Sequence, residues 1–388
     1  MAGPLDLVTA PPYDSISAEH ERRLHSASPH NVVRLILGRD ERGDDDQRNK
    51  YTRASSLLSE WRADGALRET DGPSWFLYEV RFAFQGADRR VRGVIAAVDV
   101  EPMGGGVVPH ERTLPGPVED RMRLLKAVRA NLSPVYALWR GPTPKLTEVF
   151  KEVAGVRPPD RAVTDEQGVE HRLWILPSAA ARGEPAAPWD RIQDALADER
   201  FLIADGHHRY SVAQAFREQM RADHGPGPWD RMMMLLVDAA TEDPPVLPIH
   251  RVVLNGSGAS GTSGEPAGHR VRDLAEVLAA VDDDELVYGS ATREGPELVH
   301  RVGRLEGEPP AVYELHQQVV AGANLRFMPD AVAAEEAVRH GESSAAYFLP
   351  PTHVGRIRAV IERGDTLPEK STYFWPKPRT GMVIRPIE

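Results

Sequence analysis

The 388-residue chain is 41% hydrophobic and 27% charged, the composition of a globular protein long enough to bury one elaborate core or two. It has no cysteine, which excludes disulfides, thiolate zinc sites and a cysteine nucleophile and fits a cytoplasmic protein. A net charge of −11 without a long Lys/Arg run disfavours nucleic acid as the main partner; the longest apolar run near the middle, Met232–Val237, cannot span a bilayer, and no signal-peptide pattern opens the chain. In chain order, Ala10-Pro11-Pro12-Tyr13-Asp14 reads as a rigid, extended turn. Ser17 caps a short helix through about Leu24. Asn31–Gly38 reads as a strand with Arg34 in an otherwise apolar run, and Asp44-Asp45-Asp46 as a solvated loop and N-cap cluster. A long amphipathic helix follows over 47–67, with Tyr51, Leu57, Leu58 and Trp61 on one face. Ser74–Phe84 and Arg90–Val100 form a hairpin.

The segment from His110 to Leu138 is dense. Pro117 suits a first helical turn; Arg121, Leu124, Leu125 and Val128 share a face; Asn131–Pro134 breaks the helix before a strand at Val135–Leu138. Residues 143–200, with a Pro/Ala-rich loop at 179–188, look supportive. Phe201–Ala204 is a buried strand that runs through Asp205-Gly206 into a helix at about His207, with Val212, Phe216 and Met220 at four-residue spacing and Gly225 as its stop. Met232–Asp238 is another buried strand. Residues 254–268 are a flexible low-complexity loop, and 269–340 alternate helix and strand as an accessory lobe of a single multi-lobed unit. The aromatic, basic tail 367–384 returns to the core. The fold class expected is α/β, with a mixed sheet.

The chemistry concentrates at Asp205-Gly206-His207-His208-Arg209. Cations in a first helical turn oppose the partial positive charge already there, and an anion resolves the conflict. Asp205 is placed as N-cap, and Gly206 permits a sharp turn and close approach of a ligand. Glu111, between His110 and Arg112, is a candidate general base toward a hydroxyl; its plain alternative is a surface ion pair. Lys370, Ser371 and Thr372 suit phosphate oxygens, Lys377 adds a charge, and a polar turn is the equal alternative. Arg34 reaches the sheet edge or holds a carboxylate, and with His110 and Arg112 makes the substrate-binding set. Asp120 complements a helix dipole and is also open to magnesium. Zinc is disfavoured, since adjacent histidines diverge and no HExxH spacing exists. Neither a Walker A loop nor a GxSxG elbow is present.

The segments APPYDSIS (Ala10–Ser17), HERTLPGPVEDRMRLLKAVRANLSP (His110–Pro134), ADGHHRYSVA (Ala204–Ala213) and KSTYFWPKPRTGMV (Lys370–Val383) together resemble a bacterial family catalogued as domain of unknown function 1015. The DGHHR turn is also similar to the phosphate-binding turn of the ParB/sulfiredoxin superfamily, which includes kinases acting on free L-serine. That resemblance implies a ParB/sulfiredoxin-like core with large added segments. It also implies phosphotransfer to the hydroxyl of serine or a related hydroxy amino acid, with Asp205, Gly206, His207, His208 and Arg209 at the phosphate. ATP, ADP or pyrophosphate is the expected donor, with magnesium held at Asp205. A nucleotide-switched binding protein and a phosphatase of a phosphorylated small molecule remain alternatives.

Overall fold

The computed structural model describes residues 3–102, 104–111, 115–139, 144–178, 187–197, 199–255 and 268–388. Contacts divide the chain into two compact units: Met1–Pro109 with Thr113–Pro244 and Pro376–Glu388, and His110–Arg112 with Pro245–Trp375.

The first unit is mixed α/β. Its strands include β1 (Ser74–Phe84), β2 (Ala87–Asp99), β3 (Val107–Val108), β4 (Ala130–Asn131), β5 (Val135–Trp139), β6 (Arg161–Thr164), β7 (Glu170–Pro177), β8 (Phe201–Asp205) and β9 (Arg231–Asp238). All but β4 join one eight-stranded sheet in the order β3-β8-β5-β9-β2-β1-β7-β6. Two pairings are parallel, β3 with β8 and β5 with β9; the rest are antiparallel. Every residue of β5, and all of β9 after Arg231, is buried, as a central strand covered on both faces must be. The helices Pro144–Ala154, Ala187–Leu196 and His207–His224 supply Val149, Phe150, Ile192, Tyr210 and Ala213 to that core. A second apolar cluster gathers the helices Ala18–Ala27, Val33–Ile36, Lys50–Ala63 and Pro115–Val128 around Leu24, Ile36, Leu58, Trp61 and Leu124.

Local reading works where a side chain fixes the backbone within one turn. Ser17 accepts from the His20 N–H, and Gln85 and Gly86 turn the β1–β2 hairpin with positive φ. Two expectations change. Asn31–Gly38 is not a strand: Asn31 accepts from the Val33 N–H at 2.9 Å, starting the short helix Val33–Ile36. Val32, Val33, Leu35 and Ile36 are all buried, and so short a run lacks the period that separates buried helix from buried strand. The long helix is capped not by the Asp44–Asp46 cluster but by Asn49, in a reciprocal box with Thr52; Asp44 pairs with Arg53. The helix therefore runs over Lys50–Ala63. Among the described residues, no helix is long and apolar enough to cross a membrane.

The second unit contains β10 (Val246–Leu247), β11 (His250–Leu254), β12 (His269–Val271), β13 (Val287–Glu294), β14 (Glu297–Arg304), β15 (Leu325–Met328), β16 (Ser343–Phe348) and β17 (Tyr373–Phe374). Six form an antiparallel sheet in the order β12-β14-β13-β16-β11-β15. The helices Leu274–Ala280 and Ala331–Arg339 cover it with Val277, Ala334, Ala337 and Val338. β10 and β17 pair as a separate ribbon. Residues 269–340 lie inside this unit. Of the low-complexity loop, residues 256–267 are outside the described residues.

Candidate functional site

In the first unit the site is built on β8. The strand ends at Asp205, and Gly206 turns the chain in the left-handed region (φ 103, ψ 27), so that the 18-residue helix His207–His224 can start at once. Gly206 occupies the N-cap position, one residue later than expected. Asp205 is thereby the last strand residue, and its carboxylate accepts from cations: Arg209 at 2.5 Å on one oxygen and Lys377 at 2.6 Å on the other. Arg209 is clamped further. Its guanidinium donates to the Ser133 hydroxyl at 3.0 Å and to the Pro134 carbonyl. Its Nε is buried without a partner among the described residues, and a Cβ added at Gly206 would meet that nitrogen at 3.1 Å. The arrangement requires glycine and leaves an unused donor beside a helix N-terminus.

Lys377 also bridges to Asp14, 3.2 Å away. The tail reaches this position because Thr380 pairs with Ala10 as an isolated antiparallel bridge. Tyr13, next to Asp14, lies under the Arg121 guanidinium, 4.3 Å from ring centroid to charge. Burial and Asp14 push the Tyr13 phenol up, against the pull of Arg209 and Arg121. Arg121 donates to Asp120 and to the Ile36 carbonyl at 2.9 Å. Burial acts to raise Asp120, but the Arg121 charge and hydrogen bonds from Arg121 and Tyr51 hold it below the ordinary carboxylate value. In return, burial and Asp120 push the Tyr51 phenol up to about 12.

Parts of all four motif segments therefore meet around one turn: Tyr13-Asp14, Asp120-Arg121 with Ser133-Pro134, Asp205–Arg209, and Lys377. Of these, sequence reading missed Tyr13, Asp14 and Ser133 as site residues and gave Arg121 only a helix face. Arg34, expected to sit in a strand, donates to the carbonyls of His25 at 2.7 Å and Ser28 at 3.2 Å. This answers how an Arg in an apolar run is satisfied.

The second unit joins two other predicted groups across about 260 residues. His110 is fully buried, and its Nε2 lies 2.8 Å from the Thr372 hydroxyl. The Ser371 N–H donates to Glu111 at 3.3 Å, the Leu367 N–H to the His110 carbonyl at 2.8 Å, and the Ser371 hydroxyl to the Pro368 carbonyl at 2.6 Å. Lys370 holds φ 52 at the turn. Sequence reading missed Arg251, wholly buried in this unit, which donates to His316 at 2.9 Å and to the Ile249 carbonyl at 2.5 Å. Burial pushes its guanidinium down to about 9, against Glu111 and Glu369. Arg112 lies outside the described residues.

Among the described residues, no three His, Asp or Glu side chains gather as metal ligands. A magnesium ion at Asp205 would have to displace Lys377 or Arg209.

The fold and turn define a mixed α/β protein with a cation-flanked helix start at the end of a central-sheet strand. The chain belongs to the family described as protein of unknown function (DUF1015), whose sequence profile matches residues 2–308. No curated protein matches it in sequence. Among solved structures, it is distantly similar to a free serine kinase in complex with AMP (13% identity, 72% of this chain and 86% of that one, TM-score 0.39). A conserved hypothetical protein from Pyrococcus furiosus gives 14% identity, 73% and 93% coverage and a TM-score of 0.38. SbnI from Staphylococcus aureus, truncated at its C-terminus, gives 12%, 73% and 84%, and 0.38.

Proposed function

We propose that this protein is a small-molecule kinase that transfers a phosphoryl group to the hydroxyl of a small amino acid, free L-serine first among them, on a ParB/sulfiredoxin-like core. The observation that carries the reading is the Asp205–Arg209 turn. An 18-residue helix starts directly after a left-handed Gly206, with Arg209 and Lys377 fixed on Asp205 and the Arg209 Nε buried without a partner among the described residues. Phosphoryl transfer needs positioning and charge neutralisation more than covalent help, and a turn that sets two cations beside a helix N-terminus supplies both. The transferring phosphate sits at the N–H groups of the helix start, beside His207, His208 and Arg209. Asp205 keeps the cations aligned, and Lys377 adds charge for the donor. The acceptor oxygen bonds to phosphorus, the bridging P–O bond of ATP, ADP or pyrophosphate breaks, and the acceptor proton goes to a base.

The second-unit residues have separate assignments. Glu111 takes the acceptor proton, in keeping with its acceptance of the Ser371 N–H. Lys370, Ser371 and Thr372 hold donor phosphates, and His110 orients Thr372. Each assignment has its own test in Glu111→Gln and Lys370→Met. Either variant retaining full activity removes the corresponding role.

Phosphorus NMR on the purified chain with magnesium and serine, offering ATP, ADP or pyrophosphate in separate tubes, tests the reading. A new phosphomonoester matching O-phosphoserine is expected with one donor. Donor breakdown without an acceptor product would replace the kinase with a nucleotide switch, and an inert mixture that hydrolyses added O-phosphoserine would replace it with a phosphatase.

A further inference from the structure

Beside Arg209 the first unit holds a pocket of about 60 Å³, room for a small organic molecule. Its walls are aliphatic, with Leu124, Val128, Leu132 and Met232 among them. Its polar lining is Tyr13, Arg121, Asn131, Ser133 and Arg209, and among the described residues no carboxylate lines it. Arg121 and Arg209 are held by Asp120 and Asp205 outside the pocket, so apart from the Arg209 Nε, which has no partner among the described residues, they contribute positive potential more than free donors.

Three donors remain. Asn131 is 6% exposed; its Oδ1 accepts from the Met233 N–H at 3.0 Å and from Arg385 at 3.3 Å. That fixes the amide and leaves Nδ2 as a donor without a partner among the described residues. The Ser133 hydroxyl accepts from Arg209, and its own proton has no acceptor among them. The Tyr13 hydroxyl makes no hydrogen bond among them either. The Asn131 residue is buried but its Nδ2 is not sealed from solvent, so its protons are available to a ligand in the pocket.

We propose that this pocket binds a small aliphatic carboxylate. Its oxygens take the protons of Tyr13, Asn131 and Ser133 in the field of Arg121 and Arg209, and its hydrocarbon body lies on Leu124, Val128, Leu132 and Met232. The pocket is separate from the serine position of the kinase reading and does not rest on that reading. Serine fits less well: its hydroxymethyl group gains nothing from an aliphatic wall, and no carboxylate lines the pocket for its ammonium.

The test is calorimetric titration of the full chain, without phosphate donor, with acetate, isovalerate, 2-hydroxyisovalerate and L-serine. Isovalerate should bind more tightly than acetate by about fourfold for each carbon buried, and 2-hydroxyisovalerate more tightly than serine. Tyr13→Phe and Ser133→Ala each remove one hydroxyl and no volume needed for packing. Each should weaken isovalerate by about five- to tenfold; Tyr13→Phe should leave the melting temperature unchanged, whereas Ser133→Ala also loses the Arg209 hydrogen bond and should lower it. Equal affinity for acetate and isovalerate, tighter binding of serine, no binding of any acid at tens of millimolar, or indifference to both variants overturns the proposal. Because binding is read without a donor, tight isovalerate binding with no phosphoester from any acceptor would sink the kinase reading alone.

Discussion

Replacing Arg209 with lysine keeps the charge and discards the fork. The guanidinium makes three contacts in three directions: Asp205 at 2.5 Å, the Ser133 hydroxyl at 3.0 Å and the Pro134 carbonyl. A single ammonium on a different stem can satisfy the carboxylate and little else. Two hydrogen bonds from a charged donor are lost, and the Pro134 carbonyl is left in a buried position. Each such bond contributes about 1.5–3 kcal/mol, part of which water and the ammonium recover. The expected cost is about 3 kcal/mol, a fall in Tm of about 6–12 °C for a unit of this size. Urea denaturation of wild type, Arg209→Lys, Ser133→Ala and the double variant gives the check. The cycle should return a coupling of about 0.5–1.5 kcal/mol between Arg209 and Ser133. A cost below about 0.5 kcal/mol for Arg209→Lys, or zero coupling, would refute the claim that the fork builds this turn.

Gly206→Ala places a Cβ at φ 103 and 3.0 Å from the Arg209 guanidinium; a loss of about 1–2 kcal/mol is expected in urea titration, with weaker phosphate retention by calorimetry. Arg34→Met strips the donors from the His25 and Ser28 carbonyls and should lower stability by about 2 kcal/mol without altering KM for the acceptor; a raised KM at unchanged Tm would restore Arg34 to the substrate. The second unit should weaken in mild acid. Burial, aided by Arg251, pushes the His250 imidazole from 6.5 down to about 4, and its Nδ1 accepts the Leu349 N–H at 3.2 Å. Below 6.5 the unfolded chain takes up a proton that the folded chain refuses. Stability is therefore full above about 6.5 and falls toward pH 4, by up to about 1.4 kcal/mol per pH unit. Denaturation at pH 7 and pH 5 should show that slope flattened in His250→Gln, and an equal slope in both proteins would exclude His250 as its source.

The legible parts of the sequence were those fixed within a few residues. The DGHHR turn was readable because a buried strand, a glycine and a four-residue apolar spacing are all local signals, and the structure differs only in moving the N-cap from Asp205 to Gly206. Ser17 and the hairpin at Gln85-Gly86 were readable for the same reason. Asn31–Gly38 was misread because a short, wholly buried run carries no period, and what decided it was Asn31 bonding the Val33 N–H.

By itself, then, the sequence determined the turn, its charge and the four motif segments. Only the tertiary structure decided what those segments do to one another. Lys377 meets Asp205 and Asp14, Arg209 meets Ser133 and Pro134, and Thr372 meets His110 across separations of tens to hundreds of residues. A local propensity cannot specify such pairs, because their ends are held together only after the sheets and helices between them have buried their apolar faces and covered the cost of closing the chain.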